Sequence, residues 1–213
     1  VKEGKADIPM KGILQTSNFA RAILNRETGL IPASGRRLVS QCGIFEYEGR
    51  FVMITDAAIN INPDVDTQIG IVENALPVAK ALGNDCPKVA VLSAVENVTE
   101  KMASTVTAAE IAKRGVPGCI ISGPLALDGA ISMESVKHKA IHDPVAGQAD
   151  ILLVPFIEIG NVLYKACTYI AGKTMASTIC GASCPVVITS RADTPDSKYY
   201  SILMAVLRCI KGC

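Results

Sequence analysis

The sequence predicts an α/β protein built on a doubly wound sheet, and three observations carry that expectation. Short apolar, β-branched runs alternate along the chain with segments at helical spacing, the signature of βαβ units. Aromatic residues make up only 4 % of the chain and Trp is absent, so the core must be Val, Ile, Leu and Ala, the composition of buried parallel strands. At 213 residues with 49 % hydrophobic content, the chain can fill one large or two small cores.

Taken in order, the chain opens without Met, and residues 1–4 read as the tail of a helix stopped by Gly4. Residues 6–10 read as a strand. The polar cluster Gln15-Thr16-Ser17-Asn18 then caps a helix running through Phe19, Ile23 and Leu24, with Arg21 projecting from its first turns. Residues 29–37 form a Gly/Pro/Ser loop ending in two arginines. Two apolar runs, 38–47 and 50–55, flank Glu48-Gly49 and predict a hairpin. Residues 55–64 begin with strand character and break into a turn. A helix is expected over 67–81, with Pro77 a possible kink. Strands follow at 88–93, 119–122 and 151–154, and helices at 106–113, 131–140 and 161–170. Pro185 opens a last buried strand, 185–188, and Ile202, Leu203, Ala205, Val206 and Ile210 mark a final helix from Ser197 onward.

Charge and motifs narrow the function. A net charge of +1 supplies no field for nucleic acid or an anionic membrane. No apolar run is long enough to span a bilayer, and no signal-peptide pattern opens the chain, so a cytoplasmic protein is expected. The eight cysteines are irregularly spaced without a Cys-x-x-Cys pair and read as reduced, mostly buried thiols. Dinucleotide, P-loop and Gly-x-Ser-x-Gly motifs are missing. His138 and His142 stand four apart but lack the Glu of a zinc-protease helix, so no metal is expected.

The polar turn between the last strand and the last helix, Thr189-Ser190-Arg191-Ala192-Asp193, is the densest candidate site. Asp193, Thr194 and Asp196 can each cap the helix that follows. Free N–H groups, two hydroxyls and a guanidinium suit a phosphate, although an ordinary βα loop with a solvated Arg reads the same locally. The turn at Thr16, Ser17 and Arg21 echoes it, and Arg21 with Arg26 also fits a wet helix face. Loops around 122–128 and 143–165 follow strands and are expected to face one crevice. There Asn161 equally opens a helix and Lys165 equally faces water.

Four motifs occur in order: Gly123-Pro-Leu-x-Leu-Asp128, Pro144-Val-Ala-Gly-x-Ala-Asp150, Gly160-Asn-Val-x-Tyr-Lys165 and Thr189-Ser-Arg191. Together they resemble the phosphate acyltransferase (phosphotransacylase) family over nearly the whole chain. Thr55-Asp-Ala-Ala-Ile-Asn60, Lys137-His-Lys139 and Leu125-Ala-Leu-Asp128 are similar to its phosphate butyryltransferase branch more than to its acetyltransferase branch. The resemblance implies two doubly wound α/β domains flanking a cleft, as in the isocitrate and isopropylmalate dehydrogenases. Residues 1–42 and 181–213 would form the first domain, its N-terminal part expected to be missing, and 43–180 the inserted second. It implies a homodimer that converts acyl-CoA and inorganic phosphate to acyl phosphate and CoA, with coenzyme A as substrate and no cofactor. It assigns catalysis to Ser190, Arg191 and Arg21, phosphate binding to Thr16, Ser17, Arg21, Thr189 and Arg191, and CoA or acyl binding to Lys165, Asn161 and Asp128. Acetyltransferase activity and a non-catalytic, CoA- or phosphate-binding remnant are the rival readings.

The chain departs from the family pattern in places. Ala57 stands where acetyltransferase members carry Cys, which rules out an acyl-cysteine there. The family's aspartate downstream of Ser-Arg falls near Ser197, leaving Asp193 or Asp196 as substitutes. Phe156 replaces an acidic residue of many relatives, and nothing in the residues explains it.

Overall fold

The computed structural model describes residues 1–32, 36–190 and 192–212, with Thr16 through its backbone alone. After α1 (Thr16–Ile23) the chain forms the hairpin β1 (Ser40–Tyr47) and β2 (Arg50–Thr55). It continues through α2 (Val65–Ala81), β3 (Lys88–Leu92), α3 (Ala103–Arg114) and β4 (Ile120–Leu125). Two short helices, α4 (Leu127–Ile131) and α5 (Met133–Lys139), precede β5 (Ile151–Leu153). Helix α6 (Ile157–Lys165) runs into a π-helical turn, Ala166–Ile170, and β6 (Ala176–Cys180) and α7 (Pro195–Lys211) end the chain.

The six strands form one mixed sheet in the order β4-β3-β5-β2-β1-β6. β4, β3, β5 and β2 are parallel, whereas β1 runs antiparallel to both β2 and β6. The hairpin turn has φ 50° at Glu48 and φ 76° at Gly49, the pair of positive values that a right-twisted two-residue turn requires.

Alternate residues of each strand feed opposite cores. Met53, Val89, Val91, Ile151 and Leu153 meet α2, α3 and α7 through Ile71, Val78, Ile111 and Met204. Val52, Ile54, Ala90 and Leu152 meet Val136, Ala146 and Val154 on the other face. Both faces are therefore covered, which is why these strands are continuously apolar. A third cluster (Ile23, Val39, Ile179, Val186 and Ile188, with Phe19 and Ile59 against it) ties α1 to the segment before α7.

The sheet's β6 edge is closed by two side chains and one backbone carbonyl. Its outward N–H groups find Ser197 Oγ (from Met175, 3.3 Å), Ser201 Oγ (from Ser177, 2.9 Å) and the Val186 carbonyl (from Ile179, 2.9 Å). An edge strand needs such cover, because bare N–H groups invite pairing with another chain. Buried Arg208 adds hydrogen bonds from Nη1 to Thr178 Oγ1 (3.1 Å) and the Ile179 carbonyl (3.0 Å).

Several expected elements differ. Residues 1–4 form a turn, not a helix end, and the strand expected at 6–10 is reduced to a parallel bridge between Met10 and Val187. The run 185–188 is likewise only bridged, since its neighbours offer short partners rather than a full strand. The helix expected over 131–140 is α5, starting at Met133 with the Ser132 hydroxyl as its cap, and a separate short helix, α4, precedes it. The polar cluster ahead of α1 supplies no side-chain cap, because Gln15 occupies the N-cap without such a bond. Among the described residues no helix is long and apolar enough to cross a membrane.

Ser201→Ala would strand the buried Ser177 N–H, and about 1–3 kcal/mol of stability should be lost. Denaturant unfolding checks this against Ser183→Ala on the surface. Equal midpoints for the two variants would mean the latch carries no stability.

Candidate active site

A cavity of about 630 Å³ opens beside the carboxyl ends of β2 and β5. Asn161, Tyr164 and Lys165 of α6 form one wall, and Thr189, Ser190 and Asp193 form the other. Gln41, Ala57, Ala58 and Ser177 lie between them.

The floor is shaped by Asp56, which is only 2 % exposed. Its Oδ1 accepts from the N–H groups of Gln41 (3.2 Å), Ala58 (2.9 Å) and Ile59 (3.1 Å). Its Oδ2 accepts from Asn60 N (3.0 Å) and Asn60 Nδ2 (2.5 Å). Burial pushes the carboxyl above its ordinary range, and the hydrogen bonds work against that push. The loop so fixed docks α6: Asn161 Nδ2 donates to the Ala57 carbonyl at 3.2 Å. A Cβ on Gly160 would lie 2.4 Å from the Asp56 carbonyl oxygen, so only glycine lets the helix approach this closely.

Tyr164 closes the α6 wall. Its ring lies over Gly43 of β1, where a Cβ would come within 2.6 Å of it. Burial first, then the Asp193 carboxylate, push the phenol well above its usual range, so it remains a neutral hydroxyl. Beside it Gln41 Nε2 donates to Ser177 Oγ at 2.8 Å, while the buried Gln41 Oε1 has no hydrogen-bond partner among the described residues.

On the opposite wall, Asp193 Oδ2 accepts the Ser190 N–H at 2.6 Å, and the Ser190 carbonyl accepts the Asp193 N–H at 3.2 Å. Thr194, not either aspartate, is the N-cap of α7, accepting from Ser197 N at 3.2 Å. Asp193 is buried in the cavity wall, whereas Asp196 is exposed and does not line it. Ser197, where the family aspartate would fall, is buried and bonded to Met175 N.

Lys165, Asn161, Thr189 and Ser190 are thus brought together. Arg191 lies outside the described residues, as does the Thr16 side chain. Ser17 and Arg21 are exposed on α1 and do not line the cavity, although Phe19 and Ile23 of the same helix pack in the cluster that holds Ile188. Asp128 is elsewhere: it pairs with Lys139 (2.9 Å), which also holds Glu96 (3.0 Å) and keeps the Asp128 carboxyl below its usual range. The sheet order explains the separation, since β4 lies three strands from β2, roughly 14 Å at ordinary spacing. Tyr164, Gln41 and Ser177 were not singled out as site residues; Tyr164 alone had a signal, within the motif ending at Lys165. Among the described residues no group of three His, Cys, Asp or Glu side chains gathers as metal ligands would.

A family model described as Phosphate acetyl/butaryl transferase matches residues 1–206. A probable phosphate butyryltransferase of Bacillus subtilis (strain 168) is 47 % identical over 205 residues, covering 94 % of this chain and 68 % of that protein. A phosphate acetyltransferase of Thermotoga maritima is 40 % identical over 211 residues, covering 97 % of this chain and 71 % of that protein. Among solved structures, a branched-chain phosphotransacylase from Enterococcus faecalis V583 superposes with TM-score 0.89 at 41 % identity, covering 96 % of this chain and 74 % of that one.

Asp56→Asn keeps the shape but turns an amide NH2 toward the two donors of Asn60. Leaving such groups unpaired should cost about 2–3 kcal/mol. Chemical denaturation reads the change, and a loss below about 0.5 kcal/mol would remove Asp56 from its role as the floor's anchor.

Proposed function

Because the chain belongs to the Phosphate acetyl/butaryl transferase family, we propose that it transfers a short acyl group, butyryl or a near relative, between coenzyme A and phosphate. The observation that carries this reading is the cavity itself, in which Lys165 and Asn161 face Thr189 and Ser190 across a floor of two alanines. A thioester bound along α6 would meet a phosphate held at the Ser190 turn. Phosphate then attacks in a ternary complex: a C–O bond forms at the carbonyl carbon, the C–S bond breaks, and the phosphate proton ends on the CoA sulfur. Holding both reactants at near-attack distance supplies much of the rate. The leaving thiol has a pKa of about 8.5, so no strong general acid is needed. Ser190 orients the phosphate or passes on its proton, and the neutral Tyr164 hydroxyl and Lys165 are donors for charge developing on the carbonyl oxygen. With Ala57 in place of a cysteine, direct attack needs no acyl-enzyme at that position.

Phosphate is read as lying between the Ser190-Arg191 turn and α1 with Ser17 and Arg21. Support comes from the parallel bridge between Met10 and Val187, which sends both turns out at the same end. Asp193 takes the place of the family's downstream aspartate, being the one that touches Ser190. The two-domain division at 42/43 and 180/181, the dehydrogenase-like cleft, a cytoplasmic location and a homodimer are part of the same reading. In the third apolar cluster Ile23 and Val39 from one chain end meet Val186 and Ile188 from the other, and Ile179 and Ile59 of the inserted part pack in the same cluster.

CoA release from acetyl-, propionyl- and butyryl-CoA, with and without phosphate, tests the activity and ranks the acyl groups. Lys165→Ala should raise the KM for acyl-CoA more than that for phosphate, and Ser190→Ala should lower kcat with a smaller change in phosphate KM. Arg21→Ala and Arg191→Ala should each lower kcat/KM for phosphate about ten- to a hundred-fold, with Lys rescuing only in part. If Lys165→Ala raised only the phosphate KM, the two walls have been assigned the wrong way round.

A further inference from the structure

Lys11 is 7 % exposed, yet among the described residues no carboxylate pairs with it. Among the described residues its Nζ donates only to the carbonyls of Gly12 (3.3 Å) and Leu14 (3.2 Å). Both bonds are long for an ammonium, whose charge-assisted contacts run nearer 2.7–2.9 Å. Carbonyl dipoles carry no net charge, so a cation taken out of water here lacks the compensation that buried charges otherwise find. An anion would supply that compensation.

The backbone says where that anion would sit. Lys11 N donates to the Val187 carbonyl and Val187 N to the Pro9 carbonyl, both at 3.0 Å, so the two segments run in parallel. Continuing the register sets Lys11 opposite Ile188, and Ile188 lines the cavity. Beyond this pair one segment turns into α1 and the other reaches Thr189 and Ser190. The Lys11 ammonium lies in the first of these turns, held by its carbonyls.

We propose that Lys11 is a phosphate-binding residue of the site, releasing its two long carbonyl bonds to meet the dianion between α1 and the Ser190 turn. This rests on the acyl-transfer reading above. It adds a point charge, with three freely rotating donors, to the fork-shaped contacts of the arginines.

The test measures steady-state kinetics and thermal melting in inorganic phosphate for Lys11→Met, Lys11→Gln and Lys11→Arg, with the exposed Lys5→Met as control. Lys11→Met and Lys11→Gln should raise the phosphate KM about tenfold or more while the acyl-CoA KM moves less than about threefold, and Lys11→Arg should recover part of the loss. Phosphate should raise the melting temperature of the unaltered chain and of Lys5→Met, but not of Lys11→Met or Lys11→Gln. A Lys11 that only clamps the turn would lower the melting temperature and leave the phosphate KM alone, which overturns the proposal. So does phosphate stabilisation that persists in the neutral variants, or that is missing from the unaltered chain. Phosphate stabilisation lost on neutralising Lys11, in a chain that turns over no acyl-CoA, would instead sink the acyl-transfer reading and leave the anion site standing.

Discussion

The Asp56 carboxylate is the constraint on which the site depends. It gathers five N–H donors from β1 and from the loop after β2, and so converts an irregular segment into a rigid floor. Such a loop exposes backbone groups that no strand or helix satisfies, and leaving them unpaired in a buried place is costly. A carboxylate is the one short side chain that accepts in several directions at once. Once the loop is fixed, the Ala57 carbonyl becomes a seat for Asn161, and Gly160 allows α6 to settle on it. Lys165 then stands where it does because Asp56 is buried.

Much of the architecture was legible because its determinants are local. The hairpin announces itself through Glu48-Gly49, and the apolar runs of β3 and β5 follow from burial on both faces. β6 was illegible for the opposite reason. Its sequence, Ala-Ser-Thr-Ile-Cys, carries two hydroxyl residues where an apolar strand would be sought. Those residues are buried on account of partners far away in the chain: Gln41 for Ser177 and Arg208 for Thr178. A strand defined by polar contacts to α7 and β1 has no local periodicity to read. The strands expected at 6–10 and 185–188 shrink to bridges at Met10 and Val186–187, since pairing of so few residues depends on what lies alongside.

The same distinction divides the candidate site. Lys165 and Ser190 were legible as motif residues, and they line one cavity. Asp128 was chosen by the same logic and lies apart, because a strand's carboxyl end says nothing about its rank in the sheet. With β4 at the far edge, its loop meets Lys139 and Glu96 instead of the cavity. Tyr164 and Gln41 needed the fold: one stands over Gly43, far away in the chain on β1, the other reaches across to β6.

Ser177 joins these strands of argument. Its N–H is held by Ser201 of α7, and its hydroxyl by Gln41 next to the Asp56 anchor. One residue of β6 therefore links the helix that follows the Ser190 turn to the floor that carries α6. Apolar packing alone would let α7 slide by small amounts along the sheet, since dispersion contacts are weakly directional. Hydroxyls at Ser197 and Ser201, and the buried Arg208 further along, fix its register against named N–H and carbonyl groups. Each such contact adds little net stability but is costly to break once its partner is buried, so it fixes a defined arrangement. For two reactants to meet across a cavity, a defined separation between the walls matters more than the strength of either wall, which is reason for the protein to spend buried hydroxyls here.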